Sequence, residues 1–125
     1  MTYDDFDAYC GSLNGTSQVI QWGNSRVWKV GPKVFAIGGW EKIDKPAFTV
    51  KTSESDFYVL QDQQGFRPAP YMASRGMKWV QLYDPSQFAD DELIELIHSS
   101  YQIVARSLTK KQREELGVEL DQSAT

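Results

Sequence analysis

The run Arg26 to Trp40, RVWKVGPKVFAIGGW, most restricts what this chain can become. Two β-rich segments, Val27–Val30 and Lys33–Ile37, flank the pair Gly31-Pro32. Glycine at the first central position of a two-residue turn reaches the positive φ that a type II′ hairpin requires. Proline at the second position fixes its own φ near the value the turn needs. The run therefore predicts a tight antiparallel hairpin, and the neighbouring segments have to pack against it.

The remaining segments follow in order. Thr2-Tyr3-Asp4-Asp5 reads as a helix cap with a carboxylate three residues on. Phe6, Tyr9, Cys10 and Leu13 then fall at helical spacing, which predicts a first helix over Tyr3–Leu13. Asn14-Gly15 is expected to stop it through a left-handed glycine cap. Gln18–Trp22 reads as a short strand closed by Gly23-Asn24, and Gly38-Gly39 is expected to weaken or bulge the far end of the hairpin. Asp44-Lys45-Pro46 breaks the chain. In Ala47–Lys51, Phe48 and Val50 point one way and Thr49 and Lys51 the other. Ser53-Glu54-Ser55-Asp56 caps a short helix with Phe57 and Leu60 inward.

Gln61–Gly76 reads as irregular, and Arg67-Pro68-Ala69-Pro70 is held extended because a residue before proline avoids the α region. Met77–Tyr83 is a further strand, with Val80 and Leu82 on one face and Trp79 and Gln81 on the other. Asp90, Asp91 and Glu92 suit the positive start of the longest helix. Its stripe is Leu93, Ile97, Tyr101, Val104 and Leu108. Thr109-Lys110-Lys111-Gln112 caps a final short helix that Gly117 stops. The order α-β-β-β-β-α-β-α, followed by that short helix, implies an α+β domain. An antiparallel sheet of about five strands would carry helices packed on one face. One domain over residues 1–120 and a frayed tail over 121–125 complete the expectation.

Composition then narrows function. Of the 125 residues 41% are hydrophobic, enough for one core, and the net charge is −4. No apolar run approaches the ~20 residues of a membrane span, and the acidic N-terminus lacks the basic segment of a signal peptide. The single cysteine, Cys10, excludes an internal disulfide and fits a reducing, cytoplasmic location. Charge is unevenly distributed. From Ala8 to Tyr83 nine bases face five acids, a net of +4, and the two ends carry −8. That distribution suggests a sheet with one positive surface and acidic helices behind it.

Reactive chemistry is hard to place. One histidine, His98, and one cysteine on different helices do not make a zinc site. Cys10 lies on an apolar stripe and reads as a buried small hydrophobe. There is no GxSxG elbow, P-loop or GxGxxG run, and no carboxylate pair is placed for acid–base work. No enzyme activity, metal or cofactor is therefore expected. A basic-aromatic surface remains. By strand alternation Lys29, Lys51 and Trp79 leave the face opposite Trp28, Phe48 and Val80. Lys33, Lys42, Lys45, Arg75 and Lys78 sit at turns or strand ends. Lysines there can meet phosphates and a tryptophan can stack on a base. The plainer alternative is that strand lysines deter sheet pairing and tryptophans pack.

The order of motifs adds to this. Leu13-x-Gly15, Trp22-Gly23 and Val27-Trp28-Lys29-Val30-Gly31-x-Lys33-x-Phe35-Ala36 precede Val50-Lys51, Leu60 and Pro68-Ala69-Pro70-Tyr71. Trp79-Val80-x-Leu82, Asp91-Glu92-Leu93 and Ser100-Tyr101 follow. This succession, from about Tyr3 to Glu115, resembles the MmcQ/YjbR family of small bacterial proteins. Asn14 departs from the family's usual Leu-Pro-Gly, which alters a turn. The resemblance implies an α+β fold similar to frataxin/CyaY and to a phage double-wing DNA-binding domain. Members are commonly labelled DNA-binding, and no catalytic motif carries over. The expectation is a cytoplasmic, non-enzymatic DNA-binding protein with little base specificity. Lys29, Lys33, Lys51, Arg75 and Lys78 would meet phosphates, and Trp79 would stack. The alternatives are an acidic protein-interaction or chaperone-like module, dimeric in one form, and a small-molecule site beneath the Pro68–Tyr71 loop.

Overall fold

Gly31 takes a φ of +56°, and the chain folds back on itself there as the turn chemistry requires. In the computed structural model of the protein, which describes residues 1–39, 45–72 and 75–121, that hairpin supplies two interior strands of one sheet. The elements run α1 (Tyr3–Ser12), β1 (Thr16–Gln21), β2 (Ser25–Val30), β3 (Lys33–Gly38), β4 (Phe48–Lys51) and α2 (Glu54–Leu60). They continue with β5 (Phe66–Pro68), β6 (Trp79–Leu82), α3 (Asp90–Arg106) and α4 (Lys110–Leu116). Trp40, Lys42, the Asp44 break and the tail from residue 122 lie outside the described residues.

The sheet order is β1-β2-β3-β4-β6-β5, with every neighbouring pair antiparallel. Among the described residues it has six strands, one more than the sequence suggests. The extra one, β5, is three residues long, too short to show an alternation, and lies in the stretch read as irregular. Its Pro68 is tolerated because β5 is an edge.

Among the described residues, α1, α2 and α4 start from side-chain caps, and α3 starts from the acidic turn Asp90, Asp91 and Glu92. Thr2 and Asp5 form a reciprocal capping box at α1, and Thr109 and Gln112 form one at α4, which ends on Gly117 at a φ of +71°. Ser53 caps α2 by accepting from the Asp56 amide. The end of α1 differs from expectation. Leu13 leaves the helix in an extended conformation, and the left-handed Gly15 makes the turn into β1.

Helices α1, α2 and α3 cover one face of the sheet. Phe6, Phe57, Ile97 and Tyr101 meet Trp28, Phe35, Phe48 and Val80 in the main core. The register explains how Phe35 reaches it. Trp28 pairs with Ala36 and Lys29 pairs with Val34, so Phe35 is an unmatched extra residue. This β-bulge turns Phe35 and Ala36 together toward the helices. Strict alternation would have turned one of them away. The irregularity thus lies in mid-strand and not at Gly38-Gly39. Gly38 keeps its pairing with Arg26 and Phe48, and it is glycine because Phe6 lies over it. A Cβ there would stand 2.8 Å from the Phe6 ring.

One side chain joins the layers. Ser100 of α3 donates its hydroxyl to the Phe35 carbonyl at 2.6 Å and accepts from the Lys51 amide at 2.9 Å. The next residue, Tyr101, donates to the Asn14 carbonyl at 2.6 Å and stands edge-on to Phe35.

Ser100→Ala would leave a buried amide and a buried carbonyl without that partner. Urea denaturation should show a loss of about 2–3 kcal/mol. Two glycines with similar φ make a second test. Gly23, at +74°, has open space around a built Cβ, whereas Gly65, at +87°, would place it 2.6 Å from the Asp84 carbonyl oxygen. Gly23→Ala should cost about 1–2 kcal/mol, the left-handed penalty alone. Gly65→Ala should cost at least twice as much, because backbone has to move; equal costs would contradict the packing described.

Candidate functional site

The sheet face turned away from the helices is where the sequence places its cations. Pairing puts Val27, Lys29, Val34, Ile37, Thr49, Lys51, Arg67, Trp79 and Gln81 on this side. Arg67, Gln81 and Thr49 form one cross-strand row. The Arg67 Nε donates to the Gln81 side-chain oxygen at 2.8 Å, and its guanidinium lies 5.6 Å from the centre of the Tyr83 ring.

The six residues singled out in the sequence are not all brought together. Lys29 and Lys51 lie on this face, half-buried, as alternation predicts. Trp79 shares the face but is only 4% exposed. It packs with Val27, Ile37 and Ala69, and the Ala69 amide donates to its carbonyl at 2.9 Å. The segment after β5 folds back over the indole, so Trp79 offers no surface for a base to stack on. Lys33 pairs with Val30, a helix-side residue. Its Nζ reaches 2.9 Å from the Ser107 hydroxyl at the end of α3, where the helix dipole favours a cation. Lys78 turns to α2, with Nζ 5.0 Å and 5.1 Å from the ring centres of Phe57 and Tyr58. Arg75 is exposed at the margin of the sheet face. Strand alternation does not place Arg67, because β5 is only three residues long. The extended Arg-Pro-Ala-Pro run was the signal that could have placed it.

The electrostatics separate by side. None of the outward-facing strand positions just named is acidic. The carboxylates Asp4, Asp5, Glu54, Asp56, Asp90, Asp91, Glu92 and Glu95 lie on α1, α2 and α3 behind the sheet. Asp7 of α1 accepts from Trp28 Nε1 at 3.0 Å and pairs with Arg26 at 3.5 Å, on the helix side. Arg26 also lies 4.9 Å from the Tyr3 ring centre, so it too belongs to that side.

The reactive groups sit elsewhere. Cys10 is fully buried, and burial pushes its thiol far above the ordinary value, which keeps it protonated and unreactive. His98 is half-exposed on α3, with Nε2 2.7 Å from the Asp121 carboxylate. Among the described residues no group of three or more His, Cys, Asp or Glu could hold a metal ion.

In the loop Pro68–Tyr71, Ala69 is 1% exposed and packs with Trp79. A cleft of about 390 Å³ opens beside it, lined by Trp22, Tyr71, Met72, Arg75 and Met77. Trp22 and Tyr71 hold φ at +53° and +67°, a left-handed conformation that costs a residue with a Cβ about 1–2 kcal/mol.

No described helix is long and apolar enough to cross a membrane. The fold recurs in a Deinococcus radiodurans protein with a DUF419 domain. That protein is 22% identical, with a TM-score of 0.82 over 99% of this chain and 94% of the other. A Pseudomonas syringae protein is similar at 19% identity and a TM-score of 0.65, over 82% of this chain and 98% of its own. No functionally curated protein matches the sequence. The YjbR family model matches residues 11–103, from the end of α1 to the last turns of α3, and the chain belongs to that family.

Proposed function

We propose that the protein is a non-enzymatic DNA-binding module in which Lys29, Lys51 and Arg67, half-buried on the helix-free side of the sheet around the buried Val27, Ile37 and Trp79, track the phosphate backbone. The supporting observation is the separation of charge: Lys29, Lys51 and Arg67 project from a face on which none of the described outward strand positions is acidic. Arg75 stands at its margin. Lys29 and Lys51 are two strands apart, roughly 10 Å at the usual strand spacing, and Arg67 lies about as far again beyond Lys51. Contacts of this kind position a duplex but read no bases. The three sheet-covering helices lie on the opposite side, leaving none of them to enter a major groove from this face.

A salt titration tests the reading. Four cations on four phosphates give a log–log slope near −3.6 for duplex DNA, and the pair Lys29→Glu, Lys51→Glu should bring it to about −1.8. Lys33→Glu and Lys78→Glu should leave the slope unchanged, because these side chains are committed to Ser107 and to the α2 rings. Absence of binding at low salt would remove the proposal.

A second reading, a self-associating interaction module, has one observation of its own. The edge strand β1, TSQVIQ, carries no charge and no proline, and Val19 and Ile20 are 38% and 54% exposed. Such an edge lacks the usual protection against pairing. Light scattering separates the two: a dimer that Val19→Lys dissociates, and that ignores DNA, favours the module.

A further inference from the structure

We propose that the cleft between the β1–β2 turn and the segment after β5 binds a flat aromatic ring carrying a negative charge. Its volume of about 390 Å³ lies in the range of small-ligand sites, ~300–1,000 Å³. The lining supplies the right chemistry and little else. Trp22 and Tyr71 bring aromatic rings, Met72 and Met77 bring polarisable thioethers that suit an aromatic edge, and Arg75 is the one cation of the lining among the described residues. A guanidinium stacks on a ring and grips a carboxylate or phosphate through paired donors.

Three further observations support a site over a chance hollow. Trp22, Tyr71 and Met77 are 49%, 68% and 42% exposed, although the apolar cluster of Val27, Ile37, Ala69 and Trp79 lies nearby on the same side of the sheet. Both aromatics are displayed from left-handed backbone, where glycine would be relaxed. No carboxylate among the described residues forms an ion pair with Arg75. The ligand need not be a polymer, since Lys29, Lys51 and Arg67 are absent from the lining. A nucleoside monophosphate and an aromatic carboxylate share this chemistry.

The test is calorimetric titration of the full chain with adenosine monophosphate and with indole-3-acetate. Adenosine and indole serve as the uncharged counterparts. At least one of the two anions should bind saturably and about tenfold more tightly than its neutral counterpart, and the tighter of them identifies the source. Arg75→Ala should abolish that preference while leaving the neutral probe unchanged. Trp22→Ala should weaken charged and neutral probes alike by about tenfold or more. Trp22 lies in an exposed turn, and an unchanged melting temperature checks that the variant is folded. The double variant Lys29→Glu, Lys51→Glu should weaken DNA binding and halve its salt slope while keeping the aromatic anion, so this proposal and the preceding one fail separately. Equal affinity for charged and neutral probes, or binding indifferent to Trp22→Ala, would overturn it.

Discussion

The Ser100 hydroxyl fixes how helix and sheet meet. It is fully buried and makes its two hydrogen bonds to backbone atoms of different strands, the Phe35 carbonyl and the Lys51 amide. A group so placed sets the height and rotation of α3 over β3 and β4. Phe35 is also the bulged residue, so the same contact holds the point where strand alternation slips. On one side of the slip Val34 faces outward, and on the other Ile37 does, with Phe35 and Ala36 both inward. Without the bulge, one end of β3 would present the wrong residues to each face. The composition of the helix-free face therefore follows from a hydrogen bond made on the helix-covered one.

Much of this was legible in the sequence because its causes are local. Gly31-Pro32 specifies a turn, Thr2 and Thr109 specify helix starts, and the alternation in β4 and β6 assigns Phe48, Val50, Val80 and Leu82 to the helix side. What was not legible depends on residues distant in the chain. Trp79 was given its correct face, but its cover is Ala69, which returns over the sheet only after β5 has paired. Lys33 and Lys78 sit at strand ends, where a long side chain can turn to either face. Their partners, Ser107 and the α2 rings, are tertiary neighbours with no sequence signature.

Magnitudes explain why Trp79 stays buried although its indole N–H and the Thr49 hydroxyl find no hydrogen-bond partner among the described residues. An unsatisfied polar group costs about 1–3 kcal/mol. Burying a tryptophan removes about 150–250 Å² from water, worth about 4–6 kcal/mol at 25 cal per Å². Burial outweighs the missing bond, and the indole is unavailable for stacking. Trp22, Tyr71 and Tyr83, exposed aromatic residues on that side, lie outside the strands. Any recognition of a ring passes to them, and any recognition of charge to the arginines and lysines around them.

A net charge of −4 does not by itself oppose an anion at this face. What matters is the distance of the carboxylates relative to screening. Layers of secondary structure pack about 10 Å apart, so an acid on the solvent side of a helix lies roughly 20 Å from the far side of the sheet. At physiological ionic strength the Debye length is about 8 Å, and those charges are largely screened there. In the proposed docking, the lysines and arginines on the face would lie within a few ångströms of a phosphate and keep most of their attraction. At an ionic strength of 0.01 M the screening length grows to about 30 Å, and the helical acids begin to act on the ligand as well. Lowering salt then strengthens attraction and repulsion together. Among the described residues, the acids of α1, α2 and α3 thus lie on the side of the sheet away from Lys29, Lys51 and Arg67, where screening separates the two sets of charge.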